Sequence, residues 1–129
     1  MSGDHHFTAS VTWDANERSG ALASGTGHLS TTFGGAPSLG GRVDRTNPEE
    51  LLLGALLACF VQTWAIFLTK LRVPVESPRV DGTLELGVDP AGGYRVERIH
   101  LSAFVPAALL AEREADVAKT LALAEKYCI

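Results

Sequence analysis

Cysteine is scarce in this chain, with two in 129 residues, Cys59 and Cys128. Two are too few for a disulfide-stapled scaffold. Positive charge is also short: 11 Lys and Arg stand against 15 Asp and Glu, a formal charge of −4. That argues against a nucleic-acid partner, because phosphate binding wants a basic face. The four histidines, His5, His6, His28 and His100, are scattered, with no Cys-x-x-Cys or His-x-x-x-His spacing. No metal site is therefore expected, and no cofactor. The segment LGG at 39–41 lacks the Lys-Ser/Thr and the preceding strand of a phosphate loop. Internal repeats, low-complexity tracts and linkers are missing too, so one domain over 1–129 is expected. At that length about two-thirds of the unfolded surface can be buried. The N-terminal stretch MSGDHHFTAS has no basic-then-apolar leader. A cytoplasmic protein is expected, and there a paired thiol is more readily catalytic or sensing than structural.

What the chain does have is one long apolar run, LLLGALLACFVQTWAIFL at 51–68. It approaches the length of a membrane span. Gln62 and Thr63 interrupt it, Gly54 and three alanines dilute it, and the flanking segments read as half-buried strands. A buried core helix is the preferred reading, with no membrane. A helix apolar on all sides must be covered on all sides. A chain of this size does that most readily with a second copy of itself, so a homodimer is expected with these helices at its centre.

The pattern along the chain reads as β-β-loop-α-ββ-α. HFTASVTW (6–13) alternates as a strand, and 21–33 holds one or two short strands. GGAPSLGGRVDR (34–45) is a loop. A helix from Asn47 to about Leu71 is marked by Asn47 as N-cap, Pro48 at the first helical position, and Glu49 and Glu50 at the positive dipole end. Thr46 and Glu49 have capping-box spacing. Strands at 79–88 and 94–104 form a hairpin around DPAGG. Pro106 leads into a second helical region, in which EREADVAKTLALAEKYC (112–128) puts Val117, Leu121 and Leu123 or Ala124 on one face. Strands segregated from helices give the α+β class.

Cys59 lies about three turns inside the apolar helix. A free cysteine there is ordinarily a small hydrophobe. To be reactive it must be a thiolate. Burial pushes the other way, and the helix dipole fades within the first turn. A cation from another segment would then be required, and Arg18, Arg42 and Arg45 are the loop candidates. Glu49 or Glu50 would balance that cation. Glu49 and Cys59 are ten positions apart, about 15 Å along one straight helix. Either the helix breaks, with Gly54 the weak point, or the glutamate comes from a second subunit.

TNPEELL…ACF, followed near the chain end by AEKYC, resembles the osmotically inducible protein C (OsmC) and organic hydroperoxide resistance (Ohr) family of thiol peroxidases. The likeness covers about residues 6–128. The Asn-Pro-Glu-x-Leu segment with Ala-Cys-Phe ten residues beyond the Glu is its specific part. The resemblance implies an intertwined α+β homodimer whose two long central helices are surrounded by antiparallel strands from both chains. It implies a cysteine-based peroxidase that reduces organic hydroperoxides to alcohols. Cys59 matches the peroxidatic cysteine, Cys128 the resolving one, and Glu49 the family glutamate. Arg18 stands nine residues before Gly27 and fits the Ohr-branch arginine; Arg42 is the OsmC-branch alternative. A dithiol reductant would reopen the disulfide, typically a lipoylated protein in the Ohr branch. The family's Pro-x-Ser and final strand after the second cysteine do not appear in this sequence. A non-catalytic binding or structural module on the same fold is the alternative function.

Overall fold

A computed structural model describes residues 3–129; Met1 and Ser2 lie outside the described residues. The chain divides into two compact units, ending and beginning at Leu51 and Leu52. Each is described by itself.

The first unit is a three-stranded antiparallel sheet in the order β1-β2-β3, with β1 Ala9–Asp14, β2 Ser19–Ser24 and β3 Ser30–Phe33. The register pairs Trp13 with Gly20 and Gly20 with Phe33. The strand expected at 6–13 thus starts later, at Ala9, and the 21–33 segment resolves into two strands. The Asp14 carboxylate caps the turn between β1 and β2, accepting from the backbone N–H groups of Asn16 and Glu17. Gly20 lets the Phe33 ring lie across β2: a Cβ there would come within 2.4 Å of the ring.

The loop after β3 contains a short 3-10 turn, Pro37–Leu39. It folds back so that Gly41 packs on Gly35; a Cβ on Gly41 would sit 1.9 Å from the Gly35 carbonyl oxygen. The Asn47 side chain accepts the Glu50 backbone N–H at 2.9 Å and caps helix α1, Pro48–Lys70. The capping box expected between Thr46 and Glu49 does not form. The Thr46 hydroxyl donates instead to the Glu50 carboxylate at 2.8 Å. With Asn47 as the cap, Glu50 occupies the third helical position, which is where a capping carboxylate is useful.

The second unit holds the rest of α1, the hairpin β4 (Arg79–Val88) and β5 (Tyr94–Phe104), and helix α2, Ala107–Tyr127. Helix α1 is continuous through Gly54, so the helix break considered above does not occur. Its end is a Schellman turn. Arg72 takes φ 55°, Arg72 N–H donates to the Thr69 carbonyl, and Val73 N–H to the Leu68 carbonyl. The Arg113 guanidinium donates to the exposed carbonyls of Leu71 and Arg72. Arg113 itself leaves helical geometry, at φ −134° and ψ 39°, and kinks α2 there. The helical region expected after Pro106 thus begins at Ala107 and runs in two segments.

Phe60, Trp64 and Leu68, at i, i+4 and i+8, form the buried stripe of α1, and Val117, Thr120 and Ala124 that of α2. Val73 completes the core, against which Val80, Leu101 and Ala103 of the hairpin pack. Trp64 is the largest fully buried side chain, and its indole N–H donates to the Thr120 hydroxyl at 3.0 Å. That hydroxyl donates in turn to the Val117 carbonyl at 2.7 Å. The stripe covers one face of α1 only. Leu52 and Ile66 are about half exposed, and the helix is long and apolar enough to cross a membrane by length and composition.

Candidate active site

The approach of the two cysteines follows from how α1 and α2 run. Arg113 reaches Leu71, Trp64 reaches Thr120, and Cys59 meets Cys128. As residue numbers fall on α1 they rise on α2, so the helices are antiparallel and the last turn of α2 comes level with the middle of α1. Cys128 is the C-cap. Its N–H still bonds the Ala124 carbonyl, but its backbone is extended, at φ −67° and ψ 128°. The chain turns away there, which frees the Ile129 N–H from the helix pattern and directs it to Cys59.

Both thiols are half-buried and unbridged. The Cys59 sulfur accepts hydrogen bonds from the Cys128 thiol, the largest influence, and from the Ile129 backbone N–H. Partial burial opposes these, and the Thr63 hydroxyl adds a smaller contribution in their favour. The net effect holds the Cys59 thiol below its ordinary pKa. The Thr63 hydroxyl also donates to the Cys59 carbonyl at 2.9 Å. Cys128 moves the opposite way. Burial, donation to Cys59 and the charge of a Cys59 thiolate all raise it. Of the two thiols, Cys59 is shifted toward the anion and Cys128 toward the protonated donor. Sequence reasoning required a cation to activate Cys59. These donors are neutral, and each lowers the thiol by hydrogen bonding to its charged form.

The remaining candidate residues belong to the first unit. Arg18, at φ 53° in the β1–β2 turn, donates to the Gly40 carbonyl. Arg42 reaches the same turn from the opposite side, donating to the Glu17 carbonyl at 2.9 Å and pairing with its carboxylate at 3.5 Å. Arg42 also makes a two-pronged pair with Asp44, at 2.8 and 2.7 Å. This pairing holds the Asp44 carboxyl down at about 2. The two arginines therefore clasp the 34–45 loop to the turn. Arg45 pairs with Asp44, and its Nε is buried without a hydrogen-bond partner. Glu49 lies half-buried in the first turn of α1. On this unbroken helix it is about three turns from Cys59.

Of the residues singled out from sequence, the structure brings together Cys59 and Cys128. Thr63 and Ile129 were missed. Thr63 had a signal, since i+4 spacing on a helix places it beside Cys59. Ile129 had none, because a backbone N–H carries no sequence mark. Among the described residues no cluster of three or more His, Cys, Asp or Glu could hold a metal.

A cavity of about 780 Å³ adjoins the pair on the Cys128 side. Helix α1 contributes Leu56 and Phe60, β5 contributes Leu101, and α2 contributes Leu121, with Cys128 and Ile129 closing one end. Glu125 is the charged group in its lining.

Comparison with known proteins agrees with this architecture. An uncharacterised protein of Bacillus subtilis, YmaD, is 34% identical over 68 residues, which is 52% of this chain and 44% of that protein. The matched segment thus spans less than half of that relative's length. The crystal structure of an organic hydroperoxide resistance protein from Elizabethkingia anophelis superposes with a TM-score of 0.79 at 23% identity, covering 99% of this chain and 86% of that one. A Legionella pneumophila organic hydroperoxide resistance protein, OsmC, gives 0.76 at 22% identity over 96% and 85% of the two chains. These superpositions establish the α+β fold. The family model for OsmC-like proteins matches residues 40–129, the stretch that holds both cysteines, and the chain belongs to the OsmC-like protein family.

Proposed function

We propose that the protein is a thiol-dependent peroxidase that reduces organic hydroperoxides to alcohols. The observation that carries the reading is the hydrogen-bonded approach of Cys59 and Cys128 from two antiparallel helices, with Cys59 the more acidic thiol. The Cys59 thiolate attacks the outer oxygen of the hydroperoxide. The O–O bond breaks, the alkoxide leaves and takes a proton as alcohol, and Cys59 becomes a sulfenic acid. The Cys128 thiol then displaces the hydroxyl as water and closes a Cys59–Cys128 disulfide. A dithiol reductant reopens it, so that two thiols and one hydroperoxide yield one disulfide, one alcohol and one water. Ile129 N–H and Thr63 remain as donors to the Cys59 sulfur when Cys128 is consumed in the bond. Solved relatives of the same fold carry the name organic hydroperoxide resistance protein, which supports this choice of substrate.

A homodimer belongs to the proposal. The uncovered faces of α1, with Leu52 and Ile66 half exposed, and of β1, with Val11 and Trp13 exposed, call for an apolar cover. A second copy supplies it, and a cytoplasmic location without lipid is part of the same proposal. Within that dimer Arg18, with Arg42 the alternative, and Glu49 form the charged part of the site. Gel filtration without detergent checks the assembly, and a species that elutes only with lipid or detergent would contradict it. Peroxide consumption checks the chemistry. Cys59→Ser should abolish turnover of cumene hydroperoxide, and a variant as fast as the parent would sink the proposal.

A further inference from the structure

The cavity beside the thiol pair is one-sided. Cys128 lines it and Cys59 is not among its lining residues. Thiol–disulfide exchange requires the incoming sulfur, the attacked sulfur and the leaving sulfur to lie nearly in line, and its rate depends on which sulfur can be reached. Of the two sulfurs, the one that a thiol in this cavity can touch is that of Cys128.

We propose that reduction of the Cys59–Cys128 disulfide begins by attack on the Cys128 sulfur, by an uncharged, apolar thiol seated in this cavity. This rests on the peroxidase reading only in needing a disulfide to reduce. The incoming thiolate forms a bond to Cys128 Sγ, the Cys59–Cys128 bond breaks, and its electron pair leaves on Cys59 as the thiolate. The second thiol of a dithiol then attacks its own sulfur in the mixed disulfide. It leaves as a cyclic disulfide, and Cys128 takes up a proton.

Three observations support this direction. The leaving thiolate at Cys59 is received by the Ile129 N–H and the Thr63 hydroxyl, whereas burial and a facing thiolate disfavour an anion at Cys128. The more acidic thiol is the faster leaving group. The lining is aliphatic and aromatic, from Leu56, Phe60, Leu101 and Leu121, which suits an apolar carbon chain behind the sulfur. Glu125 in the same lining disfavours an anionic thiol. Attack at Cys128 also returns the enzyme directly to a Cys59 thiolate ready for the next hydroperoxide.

The test starts from disulfide made with diamide, so it does not depend on hydroperoxide turnover. The oxidised protein is mixed with benzyl mercaptan, quenched in acid during the first part of the reaction, alkylated, and mapped by mass spectrometry. The expected product carries the benzylthio adduct on Cys128 and the alkyl label on Cys59. An adduct on Cys59, an even split, or no disulfide with diamide overturns the proposal. At equal thiolate concentration, benzyl mercaptan should react faster than anionic 2-mercaptoethanesulfonate by about tenfold, the effect of burying two methylenes' worth of apolar surface. Ala118→Glu, which brings a second carboxylate into the lining, should slow the apolar thiol while the Cys59 thiolate keeps its reactivity toward iodoacetamide. Equal rates for the two thiols, or an unaffected variant, count against the cavity. A protein inert to hydroperoxide can still give the Cys128 adduct, and an active peroxidase can give the Cys59 adduct, so the two readings fail separately.

Discussion

Thr120→Val is the most informative change in the joint that aligns the two helices. Trp64 and Thr120 are both fully buried, and the indole N–H has the Thr120 hydroxyl as its partner at 3.0 Å. Valine keeps the shape of threonine but removes the acceptor. Leaving a buried N–H unpaired costs about 1–3 kcal/mol. The added methyl recovers up to about 0.8 kcal/mol of apolar burial. The Val117 carbonyl that loses the hydroxyl lies inside α2, where the helix pattern provides its own donor. The net loss is therefore about 1–2 kcal/mol. For a chain of this size that lowers the thermal midpoint by roughly 3–8 °C. The assay is denaturant or thermal unfolding of parent, Thr120→Val, Trp64→Phe and the double variant, all at one protein concentration because self-association adds mass action. The double variant should cost less than the sum of the singles, since the orphaned N–H is gone in it. A Thr120→Val protein as stable as the parent, or more so, would refute the reasoning.

Other consequences can be checked separately. Cys128→Ala removes the strongest donor to Cys59, so the pH midpoint for iodoacetamide labelling of Cys59 should move up; the parent's depressed thiol means labelling persists to lower pH and is lost as pH falls through that lowered value. An unchanged midpoint would show that Cys128 does not activate Cys59. Arg113→Ala removes the donor to the Leu71 and Arg72 carbonyls and should destabilise by about 0.5–1.5 kcal/mol, the net worth of a hydrogen bond whose acceptor water can reach, read by urea unfolding; no change would contradict that capping role. Asp44→Asn frees Arg42 from its two-pronged pair, and limited proteolysis should cut the 34–45 loop sooner. Asp44 is depressed to about 2, so its contribution is complete above the ordinary carboxylate range and fades as pH falls toward 2. A loop whose cutting rate ignores both the variant and the acid would argue against the clasp.

Much of the fold was legible because it rests on local signals. The β4–β5 boundaries came from period-two alternation on either side of Asp89-Pro90, and the α1 start from Asn47-Pro48. What was not legible depended on geometry between segments. Gly54 looked like a break point, yet the helix runs straight through it, with Leu53 and Leu57 on either side lying against Gly82 of β4. The kink in α2 was hidden because Arg113 abandons helical geometry to reach carbonyls some forty positions earlier in the chain. At the site, the cysteine pair was suggested by type and by resemblance. Its polarity was not, since the proton distribution depends on a backbone N–H at Ile129 and on which sulfur sits nearer the cavity.

The central claim is that Cys59 takes the oxygen of a hydroperoxide and hands the oxidation to Cys128. Mass spectrometry of the protein treated with about one equivalent of cumene hydroperoxide tests it most directly. The account predicts loss of two hydrogens and a Cys59–Cys128 cross-linked peptide in the parent, and a sulfenic acid trapped by dimedone on Cys59 in Cys128→Ser. Both thiols remaining free and fully alkylatable after that treatment would contradict it.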